Sequence, residues 1–225
     1  MPSSIDTSNA QASVARTRGR PAGRTLAHGV IANRDQLLTA AENLIRKNGP
    51  AVSLASIATA AGVTKPILYR EVGDKDVLVN ALAERLAGRM AEAMRQLVAQ
   101  AATPREGLRN LVTGYLELGS QERNLYLFVT AGGTGEDRVQ QSLLLADGAA
   151  SQFAEPIAAY RAAHGADPEV ATVWSYGLLG ALHYVTLWWL REPAADIDRV
   201  VTQITQLLWS GMRLQDNTET DEQLS

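Results

Sequence analysis

The chain has 225 residues, a net charge of −3, 46% hydrophobic residues and no cysteine. This length and apolar content suffice to bury a sizeable core, and the lack of cysteine excludes disulfides, thiol catalysis and thiolate metal sites. The longest apolar run, GLLGALHYVTLWWL at residues 177–190, is shorter than the roughly 20 residues that span a bilayer. The N-terminus lacks an apolar run, so we expect no signal peptide and a soluble, cytoplasmic protein without a membrane partner.

The charge is unevenly distributed along the chain. Residues 1–75 carry seven Arg and three Lys against three Asp and two Glu, a net +5. Residues 76–225 carry eleven Arg against eight Asp and eleven Glu, a net −8. A basic N-terminal third on an acidic remainder predicts a nucleic-acid-binding part followed by a part that does not bind nucleic acid.

The N-terminal third begins with a polar, unpatterned segment, and residues 1–33 are predicted to be a disordered basic arm. Apolar residues at helical spacing then predict a first helix over 34–48, which ends at Asn-Gly-Pro. Ser53 is predicted to cap a short second helix, and Thr64 a third. Asp74 caps a longer fourth helix.

The second and third helices, joined by a glycine turn, have the spacing of a helix-turn-helix pair, whose second helix enters the DNA major groove. Ala58 is small where the two helices would pack, and Gly62 can adopt the left-handed turn conformation. Thr64 offers a hydroxyl and helix N-terminal N–H groups to a phosphate. Lysine reaches phosphate or guanine, proline packs on a thymine methyl, and tyrosine donates to phosphate. An ordinary helical hairpin with a solvated face is the alternative. The outward residues of the third helix are Lys65, Pro66, Tyr69 and Arg70.

The stretch SLASIATAAGVTKPILYREVGDKDVL resembles the N-terminal domain of TetR-type bacterial transcription regulators over about residues 35–80. The resemblance implies phosphate contacts and base-edge contacts from different residues. The phosphate set is Ser53, Thr64, Tyr69 and Lys75, and the base-edge set is Lys65, Pro66 and Arg70. The family usually has His-Phe where this chain has Glu71 and Val72. Val72 can still fill the core, but Glu71 cannot donate to a phosphate, and we expect it to pair with Arg46, Lys47 or Arg70. The matching residues are Ala58, Gly62, Val63, Thr64, Leu68, Tyr69, Gly73, Lys75 and Leu78.

The basic arm contains TRGRPAGR at residues 17–24. Arginines that flank a glycine, here Arg18 and Arg20, can enter the negative potential of a narrow minor groove. This segment resembles the core of an AT-hook without the leading proline. The other interpretation is a disordered cationic tail that holds phosphates without sequence preference.

The rest of the chain also reads as helical. Pro156 is expected to kink or divide the helix predicted at about 137–163. The predicted helices are at about 104–120, 137–163, 168–191 and 195–214, with NLYLFVTAG, residues 124–132, continuing after a short break.

TetR-type regulators have a helical C-terminal domain with a ligand cavity and a dimer interface, usually built by the last two helices. The final helix of this chain carries a broad apolar stripe, which is consistent with a homodimer that reads a palindromic site in double-stranded DNA. The alternative is a monomer whose last helices fold onto the core. The proposed interface residues are Val200, Val201, Ile204, Leu207 and Leu208.

A ligand cavity would be lined by large aromatic residues among small ones. The segment LGALHYVTLWWL resembles the regulators of this family that sense fatty acyl chains, which implies a small apolar effector, with acyl-CoA one candidate. His183 either donates to the effector or is a satisfied core histidine. The candidate pocket residues are Tyr115, Leu118, Phe128, Trp174, Leu178, Tyr184 and Trp188.

The sequence shows no sign of a catalytic or metal site, and we expect no cofactor. His28, His164 and His183 are far apart in the sequence and are not grouped with carboxylate residues as metal ligands would be. The leading hypothesis is therefore an all-α transcription regulator, a repressor rather than an enzyme. A carrier of the same fold without specific DNA recognition, which Glu71 favours, and an enzyme with its site in the helical body are the alternatives. The predicted domains are the arm (1–33), a helix-turn-helix head (34–80), a ligand-binding and dimerisation body (81–214) and an acidic tail (215–225).

Overall fold

In a computed structural model the chain is α-helical, with no strand in the described residues, which are 33–131, 150–151, 153–192 and 194–212. The basic arm with Arg18 and Arg20 and the acidic tail therefore lie outside the described residues. The described helices are α1 (Arg34–Asn48), α2 (Leu54–Ala60), α3 (Lys65–Val72), α4 (Lys75–Ala99), α5 (Pro104–Gln121), α6 (Arg123–Ala131), α7 (including residues 153–163), α8 (Ala171–Trp189) and α9 (Ile197–Met212).

The head is a small helical cluster whose helices start at local capping residues. Asn33 and Gln36 form a capping box at α1, and Ser53 and Ser56 form one at α2, each satisfying backbone N–H groups that the first turn leaves unpaired. Helix α1 contacts α2, α3 and α4 within the head, and it also packs on α6 of the body. The core of the head is fully buried, with Leu37, Ala41, Ile45, Ile57, Leu68 and Val72.

The body is arranged around α5, which contacts α4, α6, α8 and α9. Helices α5 and α8 approach closely at Gly119, where an added Cβ would lie 2.6 Å from Cγ2 of Thr186. Helix α4 runs without a break from Lys75 to Ala99, so the head joins the body through a continuous helix. No helix in these described ranges is long and apolar enough to cross a membrane.

Pro156 does not divide its helix, because residues 153–163 are helical on both sides of it. Helix α8 spans Ala171–Trp189 and is shorter than predicted by two or three residues at each end. Helix α9 begins at Ile197, two residues later than predicted.

Candidate functional site

The turn between α2 and α3 has a backbone geometry that needs glycine. Gly62 has φ = 67°, a left-handed conformation that costs other residues free energy. Its N–H donates to the Thr59 carbonyl (3.1 Å), and the N–H of Val63 donates to the Ala58 carbonyl (3.0 Å). These two bonds make the Schellman motif that closes a helix C-terminus. The motif sets the direction in which the chain enters α3.

Helix α3 presents one polar face to solvent and one apolar face to the head core. Leu68 and Val72 are buried, so Val72 fills the core position where the family usually has phenylalanine. Tyr69 is 48% exposed. Thr64 is the N-cap of α3, and its side chain makes no capping hydrogen bond. The other outward residues of the helix are also exposed: Lys65, Pro66 and Arg70.

Glu71 lies beside this outward face and is half-buried. Its carboxylate Oε1 accepts a hydrogen bond from Nε of Arg70 at 3.1 Å. Of the three basic partners expected for Glu71, the structure shows the pair with Arg70. The pair draws the guanidinium of a predicted DNA-contacting residue toward a carboxylate of the same helix.

The corner between α3 and α4 is also fixed by glycine and a cap. Gly73 has φ = 81°, and an added Cβ would lie 2.7 Å from Cβ of Val77. Asp74 caps α4 by accepting from the N–H groups of Asp76 and Val77, both at 3.0 Å. Lys75 follows the cap and is exposed. The predicted contacts Ser53, Thr64, Lys65, Pro66, Tyr69, Arg70 and Lys75 are thus all exposed residues between the start of α2 and the start of α4.

The seven predicted pocket residues differ widely in burial within the part of the chain that the structure describes. Tyr184 and Trp188 are 71% and 51% exposed, so we correct their assignment to a pocket. Both lie on the side of α8 that faces away from the core. Helix α8 is apolar around most of its circumference, and its sequence therefore does not distinguish the buried side from the exposed side. Of the other five, Tyr115, Phe128 and Leu178 are buried, while Leu118 and Trp174 are half-buried.

A hydrogen-bonded pair of side chains, the Tyr126–His183 relay, joins α6 to α8 in the body. Tyr126 Oη and His183 Nδ1 are 2.7 Å apart, and Tyr115 of α5 is buried as well. Burial raises the pKa of Tyr115 and of Tyr126 and lowers the pKa of His183. All three groups are therefore neutral at physiological pH, and the Tyr126 hydroxyl can donate to Nδ1, leaving Nε2–H as a donor. Sequence analysis missed Tyr126, since no short-range pattern links α6 to α8.

The body also contains a buried hydroxyl next to this relay. Thr186 lies one turn after His183 on α8, and its Oγ1 has no hydrogen-bond partner among the described residues. Its methyl group faces Gly119, which lies one turn after Tyr115 on α5. Tyr115 of α5 and His183 and Thr186 of α8 thus place polar groups along the contact between these two helices over about one helical turn.

A shallow cleft of about 250 Å³ lies between α4 and α5. Its volume is below the range of about 300–1,000 Å³ that is usual for small-molecule sites. Four of its lining residues are Gln or Glu, which does not suit an apolar ligand. The lining residues are Ala93, Gln96, Leu97, Gln100, Gly114, Glu117, Leu118 and Gln121.

The predicted dimer interface on α9 also requires correction. Val200 and Val201 are buried within their own chain, where α9 packs on α5. Ile204 and Leu208 are half-buried against the same core, whereas Leu207 is 68% exposed. Most of the apolar stripe is therefore used by the fold itself. The exposed large apolar side chains of α8 are Val173, Tyr176, Tyr184 and Trp188.

An exposed recognition helix on a two-helix turn, joined to a separate helical body, defines a helix-turn-helix regulator. Comparison with known families agrees. Residues 37–82 match the bacterial regulatory proteins of the tetR family, and residues 93–223 match the tetracyclin repressor-like C-terminal domain. The second match alone covers more than half of the chain, and the chain belongs to the tetR family of transcriptional regulators.

Relatives and solved structures support this assignment. An uncharacterised HTH-type transcriptional regulator of Mycobacterium tuberculosis is 24% identical over 188 residues, which are 81% of this chain and 78% of the relative. FadR of Thermus thermophilus, solved with lauroyl-CoA, has a TM-score of 0.66 at 21% identity, covering 84% of this chain and 99% of that one. FadR of Bacillus subtilis, solved with stearoyl-CoA, has a TM-score of 0.64 at 18% identity, covering 80% and 99%. At these identities the two structures show a common fold.

Proposed function

We propose that this regulator is a homodimeric repressor that binds a palindromic operator and is released from it by a small lipophilic effector. The observation that carries the proposal is the exposed face of α3, which combines Lys65, Tyr69 and Arg70 on a helix anchored by buried Leu68. Such a face suits the major groove, where side chains reach base edges and phosphates.

Residues of the head would divide between base reading and backbone contact. Lys65, Pro66 and Arg70 would lie nearest the base edges. Thr64 has a hydroxyl that the cap does not use, and it would donate to a phosphate, as would Tyr69. The phosphate contacts are completed by Lys75 and by Ser53, whose oxygen accepts the capping bond from Ser56 while its hydroxyl hydrogen can still be donated.

The basic arm would extend the interface beyond the recognition helix. Arg18 and Arg20 would enter the minor groove next to the operator or neutralise phosphates there. Deleting residues 1–24 is expected to weaken operator binding and to flatten its salt dependence, which an anisotropy titration at two salt concentrations would measure. An unchanged salt slope would remove the arm from the interface.

A second copy of the chain would cover the exposed apolar side of α8. Tyr184 and Trp188 lie there and are more than half exposed, and Leu207 of α9 is exposed as well. Exposed aromatic residues clustered on one surface mark protein interaction sites. A two-fold dimer would place two copies of α3 on the two half-sites of a palindrome.

The effector would be an apolar molecule with one hydrogen-bond acceptor, and a fatty acyl thioester fits this description. The FadR proteins of similar fold were solved with lauroyl-CoA and stearoyl-CoA. The Tyr126–His183 relay is neutral and leaves Nε2–H as a donor for a carbonyl oxygen.

The proposal is tested by measuring DNA binding and effector binding in the same titration. All four tryptophans lie between residues 174 and 209, in the body, and all three lysines lie in the head. Tryptophan fluorescence therefore follows the effector, while lysine-selective footprinting follows DNA. The two ligands must weaken each other by the same factor. An effector affinity that operator DNA leaves unchanged would contradict release by that effector.

A further inference from the structure

Arg46 is a basic residue of the head, but its side chain points to the body. Its Nε donates to Glu122 Oε2 at 2.8 Å, and its Nη2 donates to Glu122 Oε1 at 3.0 Å. Two parallel bonds between a guanidinium and a carboxylate fix both direction and distance. Glu122 lies between α5 and α6, so the pair joins the end of α1 to a helix junction of the body.

A buried carboxylate holds the same guanidinium from the other side. Glu42, on α1, is only 5% exposed, and it accepts from Arg46 Nη2 at 3.2 Å and from Arg89 Nη1 at 3.0 Å. A buried carboxylate requires such partners because losing its hydration is costly. The hydrogen bond with Glu122 is the largest contribution to the raised pKa of Arg46. Arg46 is thereby fixed between two acidic residues, with its side chain 35% exposed.

A second contact supports the first. Asn124 Nδ2 donates to the backbone carbonyl of Arg46 at 2.9 Å, and this carbonyl belongs to the last turn of α1, where helical partners are lacking. The neighbouring residue Arg123 donates from Nη2 to the carbonyl of Leu190 at 3.0 Å, just after α8. Residues 122–124 therefore hold the head on one side and the end of α8 on the other.

We propose that Arg46 and Glu122 are positioning residues for operator binding, which set the angle of the head on the body without touching DNA. The inference rests on the proposed DNA-binding dimer. Helix α4 is the covalent connection between head and body, and α1 of the head also packs on α6 of the body. Apolar packing between helices is not directional, whereas the bidentate pair fixes direction and distance. The pair therefore sets the angle at which α1 lies on α6, so that the two copies of α3 in a dimer keep a fixed separation.

The test uses the full-length protein and operators whose spacing is varied. The operator is selected from a DNA library, and derivatives move the half-sites together or apart by one base pair, a shift of about 3.4 Å along the axis. Glu122→Gln keeps the shape of the side chain and removes its charge. Glu117→Gln, an exposed carboxylate of α5, makes the same change of charge away from the head and serves as the control.

The expected result is a flattened spacing preference in Glu122→Gln. The variant should lose about five- to tenfold in affinity at the native spacing and less at the altered spacings, while Glu117→Gln behaves as wild type. Arg46→Lys keeps the charge but loses the bidentate geometry, so it should show the same flattened spacing preference. It replaces Glu122→Gln as the test variant if Glu122→Gln does not fold. An equal loss at all spacings, or no loss, would overturn the positioning role. If the wild-type protein selects no operator, the proposed function and this inference fail together.

Discussion

Glu71→Gln is expected to tighten DNA binding, because Glu71 both carries a negative charge beside the outward face of α3 and pairs with Arg70. The pair is 3.1 Å long, and the side chains of Arg70 and Glu71 are 57% and 14% exposed. Because the guanidinium is solvated, the pair contributes on the order of 1 kcal/mol or less to folding. The substitution should therefore leave the stability of the protein close to that of the wild type while releasing the guanidinium.

The gain in DNA affinity can be estimated from the same geometry. Removing an interaction worth about 0.4–1 kcal/mol that competes with DNA corresponds to about two- to fivefold tighter binding. If the released Arg70 neutralises one more phosphate, the slope of log K against log salt becomes steeper by about 0.9. Between about 50 and 200 mM salt, the variant should then lose about threefold more affinity than the wild type loses.

Fluorescence anisotropy with a labelled operator at four salt concentrations measures both quantities. Glu117→Gln is the control, since it removes an exposed carboxylate of α5 and should change neither affinity nor slope. An affinity and slope for Glu71→Gln that match the wild type would refute the reasoning, because either Arg70 is not restrained by Glu71 or this face does not meet DNA.

Three further predictions concern the body. Burial lowers the pKa of His183 below its ordinary value of 6.5. The unfolded chain therefore binds a proton that the folded chain does not, so the free energy of unfolding should fall as the pH drops below about 6.5. His183→Asn should remove this pH-dependent component in thermal unfolding between about pH 5 and 8. A Cβ at Gly119 would lie 2.6 Å from a threonine methyl of α8, so Gly119→Ala should cost about 1–3 kcal/mol in urea unfolding, while Gly88→Ala, with open space around it, should cost nothing. Trp188→Arg should weaken the dimer at least about tenfold in sedimentation experiments, while Val98→Arg, also exposed, should not; an equal effect of both would contradict an interface on α8.

The helices of the head could be predicted from the sequence because their ends are set by local chemistry. Ser53, Thr64 and Asp74 precede helices as N-caps, and Gly62 takes the left-handed turn. Each of these signals acts within about four residues, so no knowledge of tertiary packing was needed. The outward residues of α3 followed from helical periodicity once the buried position of Leu68 was assigned.

The faces of the last two helices could not be predicted in the same way. Tyr184 and Trp188 were assigned to a pocket and are exposed, while Val200 and Val201 were assigned to an interface and are buried. An apolar side chain has the same sequence pattern whether it meets its own core or a second molecule. Only the packing of α9 on α5 distinguishes the two.

Contacts between distant segments could not be predicted from the sequence either. Arg46 was considered as a partner of Glu71, but it pairs with Glu122, 76 residues away. The relay between Tyr126 and His183 joins residues that are 57 apart. Such pairs depend on how helices are placed in space, and neither partner differs in sequence from an ordinary surface or core residue.

The most direct test of the account is selection of bound DNA from a random library by the wild-type protein and by a Lys65→Ala, Tyr69→Phe double variant, at two salt concentrations. The account predicts that the wild type enriches a palindrome and that the variant, which keeps the buried side of α3, enriches none. Failure of the wild type to enrich any sequence at either salt concentration would contradict specific DNA recognition and favour a carrier protein of the same fold.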